Sequence, residues 1–518
     1  MSSKKIILEL NNIDLLGRRF NGYDLLSFFS THKNQKFKLE MLVNNRKPYS
    51  SKSKNLFTSP YIEEYDWIAQ ATERKLLGTK NQLSLAEDSL IRNPLYQKAD
   101  VLHFHLYHNM NLPIEFLARI DPSKKIIIDI HDTYWLTDSH LPMLEVFNYT
   151  ERNAASLTAQ RKRVLSSIDA EYIVHSPYIL NLFKKSDTTK HLCKVTLINF
   201  GIDTDVFHPY QAKHRNEIRT KLGIPHDNIV LFCRAQSSFK GVDYIKKALQ
   251  SIDATAPITL LTCASLGMFD ELSEHIQVID RGVIYDDQEM ASLFNTCDIF
   301  LSPSTEESFG FMAAEAMACG KPIIVFDGTA LPDTTHAPSI GISVKRSATA
   351  LRSAIEQLIA DPAEREERGR AGVKFVATHY NLSDSYARYT KLFEHLITIP
   401  KRKISQANPK SNPAEVKKFR DLLPTLQQEF DHPTTTKPPK NYPLIDYNDP
   451  GVQQLIQEFN TSNYHHLIQH PLTKRLKYTT KRIVPDSVRT AAKRAVATTA
   501  KHTPTTIKKF VNIIIRRK

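Results

Sequence analysis

The chain has 518 residues, 41% hydrophobic and 24% charged, a globular balance with length enough for two domains or more and far from that of a disordered chain. Its formal charge of +14 is local: residues 471–518 hold 14 Lys or Arg against the single acid Asp486, a net of +13, which leaves +1 for residues 1–470. The body is therefore neutral, and the tail is the basic element that seeks a partner.

Cys193, Cys233, Cys263, Cys297 and Cys319 lie at least 22 residues apart. With no C-x-x-C pair a zinc ribbon or redox motif has no ligands, and buried, inert thiols in a reducing compartment are expected. At the N-terminus Ile6, Ile7 and Leu8 form too short a run before Glu9 for a signal-peptide core and read as a first strand. No uninterrupted apolar stretch approaches the roughly 18 residues that a bilayer span needs.

In chain order, β-rich apolar segments at 5–10, 38–43, 101–105, 125–130, 172–175 and 194–198 suit one buried parallel sheet. A second series at 228–233, 258–263, 276–279, 299–302 and 322–326 alternates with helical patterns such as 242–250 and 288–296, which is the signature of parallel α/β units. The economical solution is two doubly wound domains, 1–198 and 199–400, joined near Asn199-Phe200-Gly201-Ile202-Asp203, with helices at 348–360 and 383–396 closing the second. Composition then shifts. Residues 401–450 contain eight of the chain's 27 prolines and read as a linker, ahead of a basic tail at 451–518.

The stretch richest in chemistry runs from Ser302 to Pro322. A strand ends at Ser302, a polar turn follows, and a helix begins near Gly310 and continues through Ala-rich sequence to Cys319. This places a free helix N-terminus at the carboxyl end of a parallel strand, where unpaired N–H groups and the helix dipole suit a diphosphate. Glu307 on the turn and Glu315 on the helix offer carboxylates that accept hydrogen bonds from hydroxyls, as the sugar and ribose ends of a nucleotide sugar require. Upstream, Arg234 and Lys240 occupy one loop after a predicted strand, where fixed cations stabilise the charge that develops on a departing diphosphate.

In these residues the sequence resembles the retaining GT-B glycosyltransferases of family 4, also called glycosyltransferase group 1, over most of residues 1–400. Glu307 and Glu315 match the E-x7-E motif, and Ser308-Phe309-Gly310 follows Glu307 as the pattern requires, which favours Glu307 over its neighbour Glu306. The resemblance implies a GT-B fold, two Rossmann-like domains facing a cleft. It implies that Glu307 touches the transferred sugar, that Glu315 holds the ribose hydroxyls, and that Phe309 and Gly310 border the donor. It likewise assigns Arg234 and Lys240 to the donor diphosphate, although their spacing of six exceeds the more usual five.

In the first domain the strand at 126–130 ends in His131-Asp132-Thr133-Tyr134-Trp135-Leu136-Thr137-Asp138-Ser139-His140. Similar H-D-x-x-W-x-T segments occur in exopolysaccharide and colanic-acid-type members, where the histidine faces the transferred sugar, and His131 takes that role by analogy. His103 and His105 alternate on one face of a strand and read as structural. The chain departs from the family at the first loop: Gly17 and Gly22 are five apart rather than paired. Gly22 is the candidate for close approach to the donor, with Arg18 or Arg19 near an anionic acceptor or the diphosphate. No metal or other cofactor is expected, because GT-B enzymes generally work without one.

The tail ends in an amphipathic pattern. Ile507, Phe510, Val511, Ile514 and Ile515 form one apolar stripe, and Lys508, Lys509, Arg516 and Arg517 lie elsewhere around it. Such a helix suits an anionic membrane interface, at about 1 kcal/mol for each basic residue near the lipid. Nucleic acid is disfavoured, because the tail has few aromatics to stack on bases. The expected function is retaining transfer of a sugar from a nucleoside-diphosphate sugar to a glycan or lipid-linked acceptor by a cytoplasmic protein peripheral to the membrane. The alternative is a noncatalytic GT-B scaffold or accessory subunit that binds a partner enzyme there.

Overall fold

The structure is a computed structural model, and the residues it describes are 4–400 other than 14–17, 21, 33–35, 46–53, 56–86, 88–89, 92, 111, 137–150, 236–237, 254–255, 266, 273–275 and 285. The expectations for Gly17, for Thr137 to His140, for the Pro-rich linker and for the membrane-facing stripe at 507–517 lie outside the described residues.

The first sheet consists of β1 (Lys5–Ile13), β2 (Phe37–Asn45), β3 (Lys54–Asn55), β4 (Val101–Phe104), β5 (Lys125–Ile130), β6 (Ala170–Val174) and β7 (Val195–Leu197) in the order β3-β2-β1-β4-β5-β6-β7. The second contains β8 (Ile229–Arg234), β9 (Ile258–Cys263), β10 (Gln277–Asp280), β11 (Ile299–Ser302), β12 (Ile323–Phe326) and β13 (Ile342–Val344) in the order β10-β9-β8-β11-β12-β13. Every strand pairing is parallel. Each sheet therefore needs both faces covered, and the apolar runs supply residues for both.

Alternation along the strands sorts the cores. In β5, Ile126, Ile128 and Ile130 join Leu8, Leu10 and Phe104 on one face, while Ile127 joins Ile7, Met41, Val101 and Ile173 on the other. That second face is covered by α1 (Tyr23–Thr31) through Leu25, Leu26 and Phe29. In the second sheet Val230, Phe232 and Phe300 share a face, and Leu231, Cys233 and Leu301 the opposite one. The latter is covered by Ile245 and Leu249 of α3 (Val242–Gln250) and by Leu351, Ile355 and Leu358 of α6 (Ala348–Ala360). The former packs on Phe294 of α4 (Asp287–Thr296) and on Ala313, Ala316 and Met317 of α5 (Phe311–Ala318).

Several helices start on side-chain caps, among them α2 (Pro177–Lys185), where Ser176 accepts from Ile179 N, α4, where Asp286 accepts from Glu289 N, α6, where Ser347 accepts from Ala350 N, and α7 (Pro362–His379), where Asp361 accepts from Glu364 N. α1, α3 and α5 instead begin at Gly22, Gly241 and Gly310, each in the left-handed region and without a side-chain cap. Their first N–H groups are left for other partners. All three follow the strands at which the sheet order reverses, β1 and β4 in the first sheet and β8 and β11 in the second, the crevices where open α/β sheets take ligands.

Two expectations are corrected here. The helix at 383–396 is α8 (Leu382–Thr398), and it does not close the second domain: Tyr389, Phe393 and Leu396 pack into the core face of the first sheet beside Ile7 and Phe29. Cys193 is exposed, whereas the other four cysteines are buried as expected. Burial pushes the Cys263 thiol up to about 11 and that of Cys297 up to about 12.

Candidate active site

At the crevice of the second sheet, Arg234 ends β8 and Ser302 ends the neighbouring β11. The loops that leave these two strands are clamped together. Thr305 N donates to Phe239 O at 2.8 Å, and a Cβ on Gly241 would lie 2.1 Å from Pro303 O, so only glycine allows this approach. The clamp brings Lys240 Nζ to 2.6 Å from Glu307 Oε2, with both side chains about four-fifths buried. The sequence candidates for the diphosphate and the transferred sugar thus meet as an ion pair.

Beyond them, Gly310 turns the chain with φ of 94° into α5. A Cβ at this position would meet Leu331 Cδ2 at 2.4 Å. Glu307 O is held by Ala330 N at 3.0 Å, which ties the turn to the segment after β12. One turn into α5, Glu315 is buried and pairs with Arg19 from the loop before α1. Arg19 also reaches Asp287 at 2.7 Å, and Arg18 pairs with Asp287 and with Asp24. Thus Arg18 and Arg19 face carboxylates of both domains, a pairing that no local pattern in the sequence announces.

Phe309 is not a side-chain lining of the site. It is 2% exposed, edge-on to Phe200, Phe311 and Tyr380, and its carbonyl accepts from Thr334 Oγ1. Its size anchors the turn, and only its N–H remains for a ligand.

Gly22 stands at the first sheet's crevice rather than beside Arg234 and Lys240. With φ of 86°, a Cβ there would lie 2.4 Å from His105 Nε2 and 2.9 Å from Glu9 Oε2. His131 follows β5, yet its imidazole is 4% exposed and lies within a stack of rings, 4.9 Å from His175 and 5.3 Å from His105. What it offers the second domain is its carbonyl, which accepts from Ser308 Oγ at 2.5 Å, while Ser176 Oγ donates to Ser308 O at 2.7 Å. These two bonds join the carboxyl ends of β5 and β6 to the residue after Glu307.

Beneath this junction, Glu9, His103, His105, Asp129, His131 and His175 form a polar cluster whose side chains are at most 4% exposed. Burial alone would lower the pKa of His103, but Glu9 and Asp129 on its two sides raise it to about 10. Burial drives His175 down to about 4 and His131 well below the usual imidazole range, against the pull of Asp129. Burial would raise Asp129, and the neighbouring histidines hold it well below the carboxylate range instead. His103 and His105 thus lie between the carboxylates of Glu9 and Asp129.

Residues 214–375 match the family of glycosyl transferases group 1. Over 195 residues the chain is 29% identical to the D-inositol 3-phosphate glycosyltransferase of Corynebacterium aurimucosum, covering 35% of this chain and 46% of that protein. A GDP-mannose-dependent monoacylated alpha-(1-6)-phosphatidylinositol monomannoside mannosyltransferase of Corynebacterium glutamicum is 25% identical over 240 residues, 42% of this chain and 60% of that protein. The chain spans about half the length of the curated relatives it matches. Among solved structures, Anabaena HepE in complex with UDP and glucose superposes with a TM-score of 0.55 at 13% identity, over 76% of this chain and all of that one. The fold is GT-B: two Rossmann-like, doubly wound α/β domains in one chain. The matched stretch contains Arg234, Lys240, Glu307, Gly310 and Glu315, the residues that the crevice of the second sheet brings together.

Proposed function

We propose that the chain transfers a sugar from a nucleoside-diphosphate sugar to a glycan or lipid-linked acceptor, with retention of anomeric configuration. The observation that carries this reading is the Lys240 and Glu307 pair at the β8 and β11 crevice, between Arg234 and the uncapped N-terminus of α5.

On this reading the donor diphosphate lies over the N-terminus of α5, with Arg234 and Lys240 supplying positive charge as the sugar–phosphate bond breaks. Glu307 exchanges its Lys240 partner for hydroxyls of the sugar, and Glu315 exchanges Arg19 for the ribose hydroxyls. No enzymic nucleophile is required, since the acceptor hydroxyl enters on the face that the diphosphate leaves. The protein's contribution is position and fixed charge. His131 is assigned to the sugar side of the crevice through its carbonyl, which accepts from Ser308 Oγ next to Glu307, its ring being held in the stack with His105 and His175.

HepE was solved with UDP and glucose, which makes a UDP-hexose the first donor to try. The mannosyltransferase relative is named for a phosphatidylinositol mannoside acceptor, which supports an acceptor at a membrane, as does the +13 tail. Among the described residues no helix is long and apolar enough to cross a membrane. Attachment at the cytoplasmic face of a membrane is assigned to the tail on its net charge of +13. Exopolysaccharide synthesis as the setting rests on the segment that begins at His131.

The test is turnover of nucleotide sugars with the anomer of the product read by proton NMR. Lys240→Met should lower turnover by at least about tenfold, since a donor to developing charge contributes several kcal/mol. An inverted product would contradict retention, and full turnover by Lys240→Met would contradict the diphosphate assignment.

A further inference from the structure

The buried cluster in the first domain has the chemistry of a cation site. Glu9 and His103 are register partners on adjacent strands β1 and β4, and His105 follows β4 on the same side. Glu9 Oε2 lies 2.9 Å from His103 Nδ1 and 2.6 Å from His105 Nε2. All three atoms lie within 4.8 Å of one another, and an ion with bonds of about 2.0–2.2 Å to nitrogen and oxygen would take the place of the direct contacts between Glu9 and the two histidines.

The remote nitrogens of both histidines turn to one carboxylate. His103 Nε2 is 3.2 Å from Asp129 Oδ1, and His105 Nδ1 is 3.3 Å from Asp129 Oδ2. This carboxylate–histidine arrangement is the outer support that metal-bound imidazoles generally have. His105 Nδ1 also lies 3.1 Å from His131 Nε2, and Tyr389 donates to Asp129 Oδ2 at 3.4 Å. Two further observations point to a ligand. His103 is fully buried, yet neither ring nitrogen has a partner at hydrogen-bonding angles, and Glu9 Oε1 and Asp129 Oδ1 also lack one. Moreover, every ion-pair partner of Glu9 and Asp129 among the described residues is a histidine, so two buried carboxylates face no Lys or Arg, and a single divalent cation balances them.

Of Glu9, His103 and His105, the last borders a cavity. This cavity, of about 370 Å³, is lined by Gly22, His105 and Asp129, and Gly22 packs directly over His105 Nε2 and Glu9 Oε2, where a Cβ would lie 2.4 and 2.9 Å from them. We propose that Glu9 Oε2, His103 Nδ1 and His105 Nε2 bind one divalent cation of the zinc type, with a water as the fourth ligand. Imidazole nitrogens with one carboxylate select borderline cations over magnesium or calcium. The ion sits at the switch point of the first sheet, where it ties the carboxyl ends of β1 and β4 together and holds Asp129 of β5 behind them. It plays no part in the departure of the donor diphosphate, and the proposal stands independently of the glycosyl-transfer reading.

The test uses the full chain, stripped with a chelator, then titrated with Co²⁺ or Zn²⁺ alone and assayed for bound metal by plasma mass spectrometry. About one ion per chain should bind, with visible cobalt bands of a four-coordinate nitrogen and oxygen site and no thiolate charge-transfer band. His103→Asn, close in shape, should lower the affinity for Co²⁺ at least about tenfold. If that variant fails to fold, the stoichiometry and spectrum of the wild-type chain still decide. A wild-type chain that stays metal-free in excess Co²⁺ and Zn²⁺ overturns the assignment and leaves His103 as a protonated bridge between two carboxylates. A thiolate band, or undiminished affinity in folded His103→Asn, overturns the ligand set.

Discussion

Glu315 illustrates how a single carboxylate is held ready for a ligand. It is 4% exposed, and an isolated buried carboxylate is costly, so Arg19 supplies its counter-charge. Glu315→Ala should weaken nucleotide-sugar binding by roughly 1.5–3 kcal/mol, or ten- to a hundredfold in Kd, through lost charged hydrogen bonds to the ribose. Calorimetric titration checks this, and unchanged affinity would detach Glu315 from the nucleotide. The relation of Glu307 to Glu315 was legible in the sequence because a strand, a polar turn and an Ala-rich helix fix it locally, whereas the contact of Lys240 with Glu307, 67 residues apart, is made by the fold. The pairing of Arg19 was not legible either, because its two partners come from helices more than 250 residues away in the chain. The histidine cluster was legible in part. Ile7 and Glu9, Val101 and His103, Ile127 and Asp129 are each two apart and so share a face. Reading polar residues at the ends of those apolar series together, rather than strand by strand, would have assembled the cluster.

At the scale of elements, the turn into α5 concentrates the demands of the site. Gly310 holds φ of 94° and leaves room for Leu331 Cδ2. Gly310→Ala should destabilise the protein by about 1–3 kcal/mol and shift the start of α5, which is measured as a lower Tm together with weaker nucleotide binding. A variant with wild-type Tm and affinity would show that the turn tolerates a side chain. α8 offers a separate test. Phe393 is fully buried, edge-on to Phe37, in the core face of the first sheet. Phe393→Ala should cost about 3–5 kcal/mol in denaturant unfolding, as removal of a buried aromatic does, and a cost below about 1 kcal/mol would deny the docking. The sequence identified the apolar stripe of α8 but not its partner, because a stripe of period 3.6 says that a helix is buried and not against which sheet. β13 went unread for a different reason: the three residues Ile342 to Val344 give no period to count.

For the molecule as a whole, the charge distribution separates a neutral body from a tail of +13 over residues 471–518. If the tail recruits the body to an anionic surface, truncation after Asn463 should release the protein from anionic vesicles in a sedimentation assay and leave nucleotide-sugar affinity unchanged. Raised salt should reproduce part of that release by screening, whereas equal pelleting of both forms would contradict the anchor. Fold class was legible because two long series of buried strands alternating with helices admit few other arrangements. The identity of the donor was not legible, since carboxylates and an open helix N-terminus recognise hydroxyls and phosphate in general. The most direct measurement is therefore calorimetric titration of the full chain, and of Lys240→Met, with UDP-glucose, GDP-mannose and the free nucleoside diphosphates. At least one pair should bind the wild-type chain, with affinity for the diphosphate falling about tenfold or more in Lys240→Met. Absence of binding by every nucleotide, or equal affinity in the two proteins, would contradict a donor site at the β8 and β11 crevice.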